Sequence, residues 1–246
     1  MPATPAWPPR SLPRLHVEVE LGTGARVDLD AGQANYLGNV MRLKTGDRLL
    51  LFNGRSGEWL AEVAEAGKKR MTLSIIEPTR PQENVPDLWL AFAPVKKGRV
   101  DWLVEKAVEL GVARLVPVIT RRTIVDRLNL DRMRAHIIEA AEQCGRTALA
   151  EIDEAMKLDT LLRSRDPQRR LYFADESGGE PAATAFRPDP ALILTGPEGG
   201  FTPEEANAIR AAPNAAPISL GPRILRAETA ALAAVAAWMA MAGDWA

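Results

Sequence analysis

Apolar and polar positions follow two different rhythms along this chain. From residue 15 to 76 the rhythm is short and close to two. LHVEVE (15–20), RVDLD (26–30), DRLLLF (47–52), EWLAEVA (58–64) and MTLSII (71–76) alternate or concentrate branched side chains, as half-buried strands do. Turn chemistry separates them at Gly22 and Gly24, at Lys44-Thr-Gly-Asp47, and between Asn53 and Gly57. One short helix, over 31–43, interrupts the series. The pattern predicts a small barrel-like β domain over 15–76. Before it, residues 1–14 (MPATPAWPPRSLPR) read as a Pro-rich tail. After it, residues 77–86 (EPTRPQENVP) are polar, hold three prolines and read as a linker.

From residue 87 the rhythm lengthens into alternating strand and helix. LWLAFAP (88–94) is a buried strand, and Val100, Leu103, Val104, Ala107 and Val108 follow at helical spacing up to a stop at Gly111. ARLVPVIT (113–120) is the next strand and 131–144 the next helix, and LYFA, ALILT and PISL are further short apolar strands. Such alternation predicts an α/β domain over 87–246 with a mainly parallel sheet. Ligands of such sheets bind beyond the carboxyl ends of the strands.

Composition narrows the function classes. With 246 residues, 46% hydrophobic and 26% charged, the chain has the make-up of a globular protein large enough for two cores. Net charge is −1, yet residues 96–134 hold ten Lys or Arg against five Asp or Glu, either a patch for a polyanion or a set of solvated helix faces. Cys144 is the lone cysteine and His16 and His136 the only histidines, so no intrachain disulfide is possible and no metal site is expected. The tail lacks the apolar segment of a signal peptide, and the apolar run over 229–243 falls short of the roughly 20 residues that span a bilayer. A cytoplasmic protein is expected.

Candidate chemistry lies in two glycine-proline loops. LILTGPEGGFTPEE (192–205) and ISLGPRILRAETAAL (218–232) each follow a short apolar strand, so both open onto the ligand-binding edge. Gly196, Gly199 and Gly200 let backbone approach a ligand closely, and Pro197 and Pro222 stiffen the bends. Thr202 can cap a helix that starts at Pro203 with Glu204 and Glu205 in its first turn. Neither loop carries a GxxxxGK[ST] or GxGxxG phosphate pattern, and a phosphate would sit poorly beside Glu198. A nucleoside with an amino-acid tail fits better. In the second loop, Arg223 and Arg226 can hold anionic or carbonyl oxygens, and Glu228 opens the last helix. A pair of plain turns with surface salt bridges is the alternative.

GPEGG followed by LGPRILRAETAAL resembles the 16S rRNA (uracil-N3)-methyltransferases, S-adenosylmethionine-dependent enzymes of the SPOUT class. The resemblance extends to YLGNVMRLKTGDRLLLFNG (36–54), KKGRVDWLVEKAVELGVARLVPVIT (96–120) and EAAEQCGR (139–146), in the family's order over most of the chain. Asn35 stands where the family usually has His, and Ala227 where it usually has Thr. The resemblance implies a SPOUT α/β domain with a deep trefoil knot, preceded by a PUA-like RNA-binding barrel. It implies that Leu194, Thr195, Gly196 and Gly200 of the first loop, with Leu220, Gly221, Ile224 and Leu225 of the second, hold S-adenosylmethionine, and that the end of LYFADE adds contacts.

For the chemistry, Arg226 is expected to stabilise charge on a uracil carbonyl oxygen and Arg223 to hold the cofactor carboxylate or an RNA phosphate. Glu228 is expected either to accept the N3 proton or to fix Arg226 in place. Arg14, Arg42, Lys44, Arg48 and Arg55 of the barrel, and Arg121 and Arg122 after ARLVPVIT, are candidate contacts to 16S rRNA, acted on within the small ribosomal subunit. The last helix is almost wholly apolar and must be buried on every side. The resemblance implies that it packs against its own domain and a second subunit, making a homodimer, with a central helix of a monomer as the alternative. A SPOUT ribose 2′-O-methyltransferase and a non-catalytic RNA-binding assembly factor are the alternatives.

Overall fold

The computed structural model describes residues 12–67, 70–125 and 127–245. Contacts divide the chain into two units, Met1–Glu83 with Gly145–Ala148, and Asn84–Cys144 with Leu149–Ala246. The first eleven residues of the expected tail lie outside the described residues.

In the first unit the chain forms β1 (Arg14–His16), β2 (Arg26–Asp28), helix α1 (Ala31–Asn35), a π-helical turn (Tyr36–Val40), β3 (Arg48–Phe52), β4 (Glu58–Ala66) and β5 (Met71–Arg80). The five strands make one mixed sheet in the order β1-β3-β4-β5-β2, with β1 parallel to β3 and the other pairs antiparallel. Alternation sends Leu49, Leu51, Ala61, Val63, Leu73 and Ile75 into one core, where each is at most 2% exposed.

Three expectations need correction here. Arg14 belongs to β1 rather than to the tail. The helix over 31–43 stops as α-helix at Asn35 and continues as the π turn, which points Leu37 fully into the core. The stretch expected as linker begins as strand, because β5 runs on through Glu77–Arg80 against β4. Pro78 is tolerated in it because the ladder is irregular at Trp59, its partner. A part-buried ion cluster fixes this extension: Arg80 Nε and Nη2 donate to Glu58 at 3.0 and 2.8 Å, and Arg14 Nε donates to it at 2.8 Å.

In the second unit follow β6 (Leu88–Phe92), α2 (Lys97–Glu109), β7 (Arg114–Ile119), α3 (Leu130–Cys144), β8 (Glu151–Ile152), β9 (Met156–Lys157) and α4 (Leu158–Ser164). Then come β10 (Arg170–Ala174), β11 (Glu180–Pro181), α5 (Ala182–Ala185), β12 (Ala191–Thr195), α6 (Pro203–Arg210), β13 (Ala215–Ser219) and α7 (Ala227–Ala242). The strands form a parallel sheet in the order β11-β13-β10-β12-β6-β7-β8, with β9 also on β7. β12 and β13, whose loops carry the two glycine-proline motifs, are therefore not neighbours. β10, the LYFA strand, lies between them, and the carboxyl ends of all three open on the same edge.

The apolar last helix α7 crosses back from β13 to pack on β12, β6, α2 and α5. This return past the strand before it is the path along which the family resemblance places the knot. Packing on so many sides explains why α7 has no polar face. Trp238 and Met239 are 2% and 0% exposed inside their own unit.

Candidate active site

The three strand ends converge on a cavity of about 740 Å³ in the second unit. Its first wall is the turn after β12. Thr195, 2% exposed, closes the strand, and Gly200 N–H donates to Pro197 O at 2.9 Å. Gly200 has φ +66°, and a Cβ there would stand 2.8 Å from Glu176 Oε1. A Cβ on Gly196 would press on the Phe201 ring at 3.2 Å. Side chains at either place would fill the cavity or push its wall out of position.

The loop is tied down from behind. Thr202 and Glu205 form a capping box at the start of α6, and the second oxygen of Glu205 accepts the Arg121 N–H at 2.8 Å. Arg122 Nη1 donates to Gly199 O at 2.6 Å and to Phe201 O at 3.4 Å. The guanidinium expected to guide RNA is thus a buttress of the GPEGG turn. Arg121 is exposed and pairs with Glu204 at 3.7 Å.

The second wall is the turn after β10. Asp175 accepts from Ser177 Oγ at 2.6 Å and from Arg210 Nη2 at 2.5 Å. Burial alone would raise the Asp175 carboxyl, but these hydrogen bonds outweigh it and hold the group below the usual carboxylate range. Asp175 is therefore a fixed anion that shapes the turn, while Glu176 beside it lines the cavity.

The third wall is the loop after β13. Leu220, Gly221, Arg223, Ile224, Leu225 and Arg226 line the cavity. Gly221 takes φ +101°, and Arg226 occupies the N-cap position of α7 with an exposed side chain. Of the expected cofactor residues, Leu194 alone stays off the cavity surface, because it points into the sheet core at 0% exposure.

Glu228 departs from expectation. It is 7% exposed and absent from the cavity lining, and its ion partner is Arg99 of α2, not Arg226. Arg99 Nε lies 3.6 Å from Glu228 Oε1, and Arg99 Nη1 lies 3.6 Å from Glu198 Oε1 in the first loop. One guanidinium thereby joins both glycine-proline segments. The other oxygen of Glu228 is buried without a hydrogen-bond partner. Neither loop reveals this bridge by itself, since Arg99 lies about a hundred residues earlier. Its only sequence signal is its place at the start of a helix whose amino end faces the ligand edge.

The basic residues of the first unit separate into two sets. Arg14 is buried, with its donors on Glu58 and on Arg146 O (2.8 Å) and its plane over Phe52, so it is not a phosphate contact. Arg55 donates to Glu18 O at 2.9 Å, and Arg48 lies 3.8 Å from Glu62. Arg42 and Lys44 are exposed on the turn that follows the π helix.

Residues 81–239 match the family described as RNA methyltransferase domain, and residues 29–76 match the RNA methyltransferase PUA domain. Fold and cavity together thus define a class, the RNA methyltransferases that join a PUA domain to a SPOUT-type α/β domain. Within that class the chain belongs to the ribosomal RNA small subunit methyltransferase E family. It is 31% identical to the member from Rickettsia conorii over 91% of this chain and 93% of that one, and 30% identical to the member from Synechocystis over 91% and 76%. The solved structure of the Neisseria gonorrhoeae member, bound to S-adenosyl methionine, superposes with a TM-score of 0.88 at 29% identity and covers 96% of this chain and 100% of that one.

Proposed function

We propose that this chain methylates N3 of a uridine in 16S ribosomal RNA of the small subunit, with S-adenosylmethionine as methyl donor. The observation that carries the reading is a cavity walled by three strand-end turns, with Arg223 and Arg226 on its third wall. The residues present fit the donor. Gly196 and Gly200 leave room where a Cβ would intrude, Leu220, Ile224 and Leu225 offer apolar surface, and Glu176 and Glu198 oppose a positive charge. Neither loop has the form of a phosphate cradle.

When bound, S-adenosylmethionine supplies an electrophilic methyl group on a sulfonium. Thr195, Gly196, Gly200, Leu220, Gly221, Ile224 and Leu225, which line the cavity, would hold it through backbone and apolar contact. Transfer would exchange the donor's S–CH₃ bond, whose electron pair stays on sulfur as a neutral thioether, for the N3–CH₃ bond, and the N3 proton would leave for water or a lining carboxylate. Arg226 opposes the charge that builds on the flanking carbonyl oxygen, and Arg223 holds the donor's carboxylate or a phosphate. Glu228 acts by position, through Arg99. Alignment of nitrogen and methyl supplies much of the rate.

A homodimer is part of this reading. Trp238 and Met239 are spent inside the unit, while Met241 and Trp245 remain 52% and 53% exposed at the end of α7. Met241→Asp is expected to give folded monomers, and wild-type protein that is monomeric by light scattering would end the dimer reading. No described helix is long and apolar enough to cross a membrane.

The decisive experiment is transfer of labelled methyl from S-adenosylmethionine to small ribosomal subunits, followed by nucleoside analysis. 3-Methyluridine is expected. A 2′-O-methylated nucleoside would move the chemistry to the ribose, and RNA binding without transfer would leave a non-catalytic assembly factor.

A further inference from the structure

Three costly features coincide on one turn of the first unit. The N–H of Met41 reaches Tyr36 O at 2.9 Å, an i to i+5 bond of the rare π-helical kind. Arg42 follows with φ +59°, a left-handed conformation that L side chains disfavour. Tyr36, Val40 and Met41 stay 41%, 63% and 40% exposed, although the core lies directly beneath them. The turn is not loose. Leu37 is fully buried in the core cluster, Leu43 packs on the same cluster, and the Leu43 N–H donates to Leu37 O at 2.9 Å. Rigid mounting of exposed apolar groups on strained backbone marks a surface shaped for contact.

Charge points to the kind of contact. Residues 31–46 hold no Asp or Glu, while Arg42 and Lys44 project there as cations. Neither side chain makes a hydrogen bond or ion pair among the described residues, the Lys44 bond to Asp47 being through its backbone N–H. An aromatic face with an apolar rim and two unneutralised cations suits an unpaired nucleotide, whose base stacks while its phosphates meet the cations. A duplex hides its base faces, and a purely apolar protein partner would leave both cations unused.

We propose that the turn over residues 36–44 is a binding site for an unpaired nucleotide of the RNA substrate, with the base against Tyr36 and phosphates at Arg42 and Lys44. The proposal rests on the RNA methyltransferase reading and adds a recognition site to it.

The test uses the full chain and a labelled, unstructured RNA oligonucleotide, with affinity read by fluorescence anisotropy. Tyr36→Ala should weaken binding roughly 5- to 150-fold, the span of one lost base stack, and Tyr36→Phe should restore it. Lys44→Gln should lower the slope of log affinity against log salt by about 0.7, one phosphate on a single strand. Arg42→Gly separates ligand contact from architecture, because glycine accepts φ +59° without strain. Its thermal midpoint should hold or rise while its RNA affinity falls.

Unchanged RNA affinity in Tyr36→Ala and Arg42→Gly would overturn the site. Unchanged RNA affinity with altered self-association would overturn it too, making the patch a protein interface. Cofactor affinity, measured by calorimetry, should not move in any of these variants. If wild-type protein methylates ribosomal subunits and the Tyr36→Ala enzyme does so with unchanged KM, this site fails while the enzymatic reading stands. Absence of transfer by wild-type protein would instead overturn the reading on which the site rests.

Discussion

Arg99→Met is the most informative perturbation of the second unit, because one substitution removes a charge shared by Glu198 of the first glycine-proline loop and Glu228 at the start of α7. At 3.6 Å and an effective dielectric constant near 20, its attraction to Glu228 is about 4–5 kcal/mol before solvent screening. The Arg99 side chain is 41% exposed and the Glu228 side chain 9%, so the pair stands between a surface bridge worth roughly 0–1 kcal/mol and a buried one that costs roughly 3–5 to break. A loss of about 2 kcal/mol is therefore expected. It should arise mainly from the carboxylate left behind, since Met preserves the packing of the Arg stem. Removing that carboxylate should then help: Glu228→Gln alone should cost less than about 1 kcal/mol, and the Arg99→Met/Glu228→Gln pair should be more stable than Arg99→Met by roughly 1 kcal/mol. Urea unfolding followed by tryptophan fluorescence, which four tryptophans of the second unit dominate, reads this directly. Losses that simply add to within about 0.5 kcal/mol would refute the bridge. The rate assay completes the cycle. If Glu228→Gln alone lost roughly 10²-fold in single-turnover rate with stability and cofactor affinity intact, Glu228 would be a reacting group rather than a positioning one.

Three further outcomes follow from the same geometry. Gly200→Val meets Glu176 at 2.8 Å and forces φ +66° on a branched residue, so S-adenosylmethionine affinity measured by calorimetry should fall at least tenfold while circular dichroism is unchanged. Arg226→Ala should keep that affinity and lose roughly 10²-fold in single-turnover rate, with little recovery in Arg226→Lys if planar geometry matters; near-normal turnover would move the active centre elsewhere. In the first unit, burial pushes the Glu58 carboxyl up, but hydrogen bonds from Arg80 and Arg14 outweigh it and hold the group below its ordinary value. The stability this gives is complete above the ordinary carboxylate range and is lost as pH falls through the lower folded value, so acid titration should unfold wild type more steeply than Glu58→Gln, which should already be weaker at pH 7.

Much of the fold was legible because it rests on local periodicity. The alternation over 47–52, 58–64 and 71–76 became β3, β4 and β5, and the apolar tetrads after residue 87 became parallel strands. The misreadings have one cause, the dependence of a local signal on a distant partner. Prolines made 77–86 look like a linker, yet Arg80 is held in strand by Glu58, 22 residues earlier. Uniform apolarity in α7 gave no means of separating a second subunit from the helix's own neighbours. The sheet put Trp238 and Met239 inside, and left Met241 outside.

The arginines make the same point about function. Arg14, Arg122 and Arg99 are alike in sequence, each a cation near a turn or a helix start. Arg14 is consumed by Glu58, Arg122 by the carbonyls of the GPEGG turn, and Arg99 by two carboxylates, Glu198 of the first loop and Glu228 in the first turn of α7. Those left exposed on the cavity are Arg223 and Arg226, where no acid of the second loop reaches them. A guanidinium already satisfied by the protein has little to give a transition state, whereas one held in place but unneutralised can respond to charge as it develops. Strand order makes that separation possible. With β10 between β12 and β13, the acids after β10 and in the first loop occupy two walls, and the second loop can present its cations on the third.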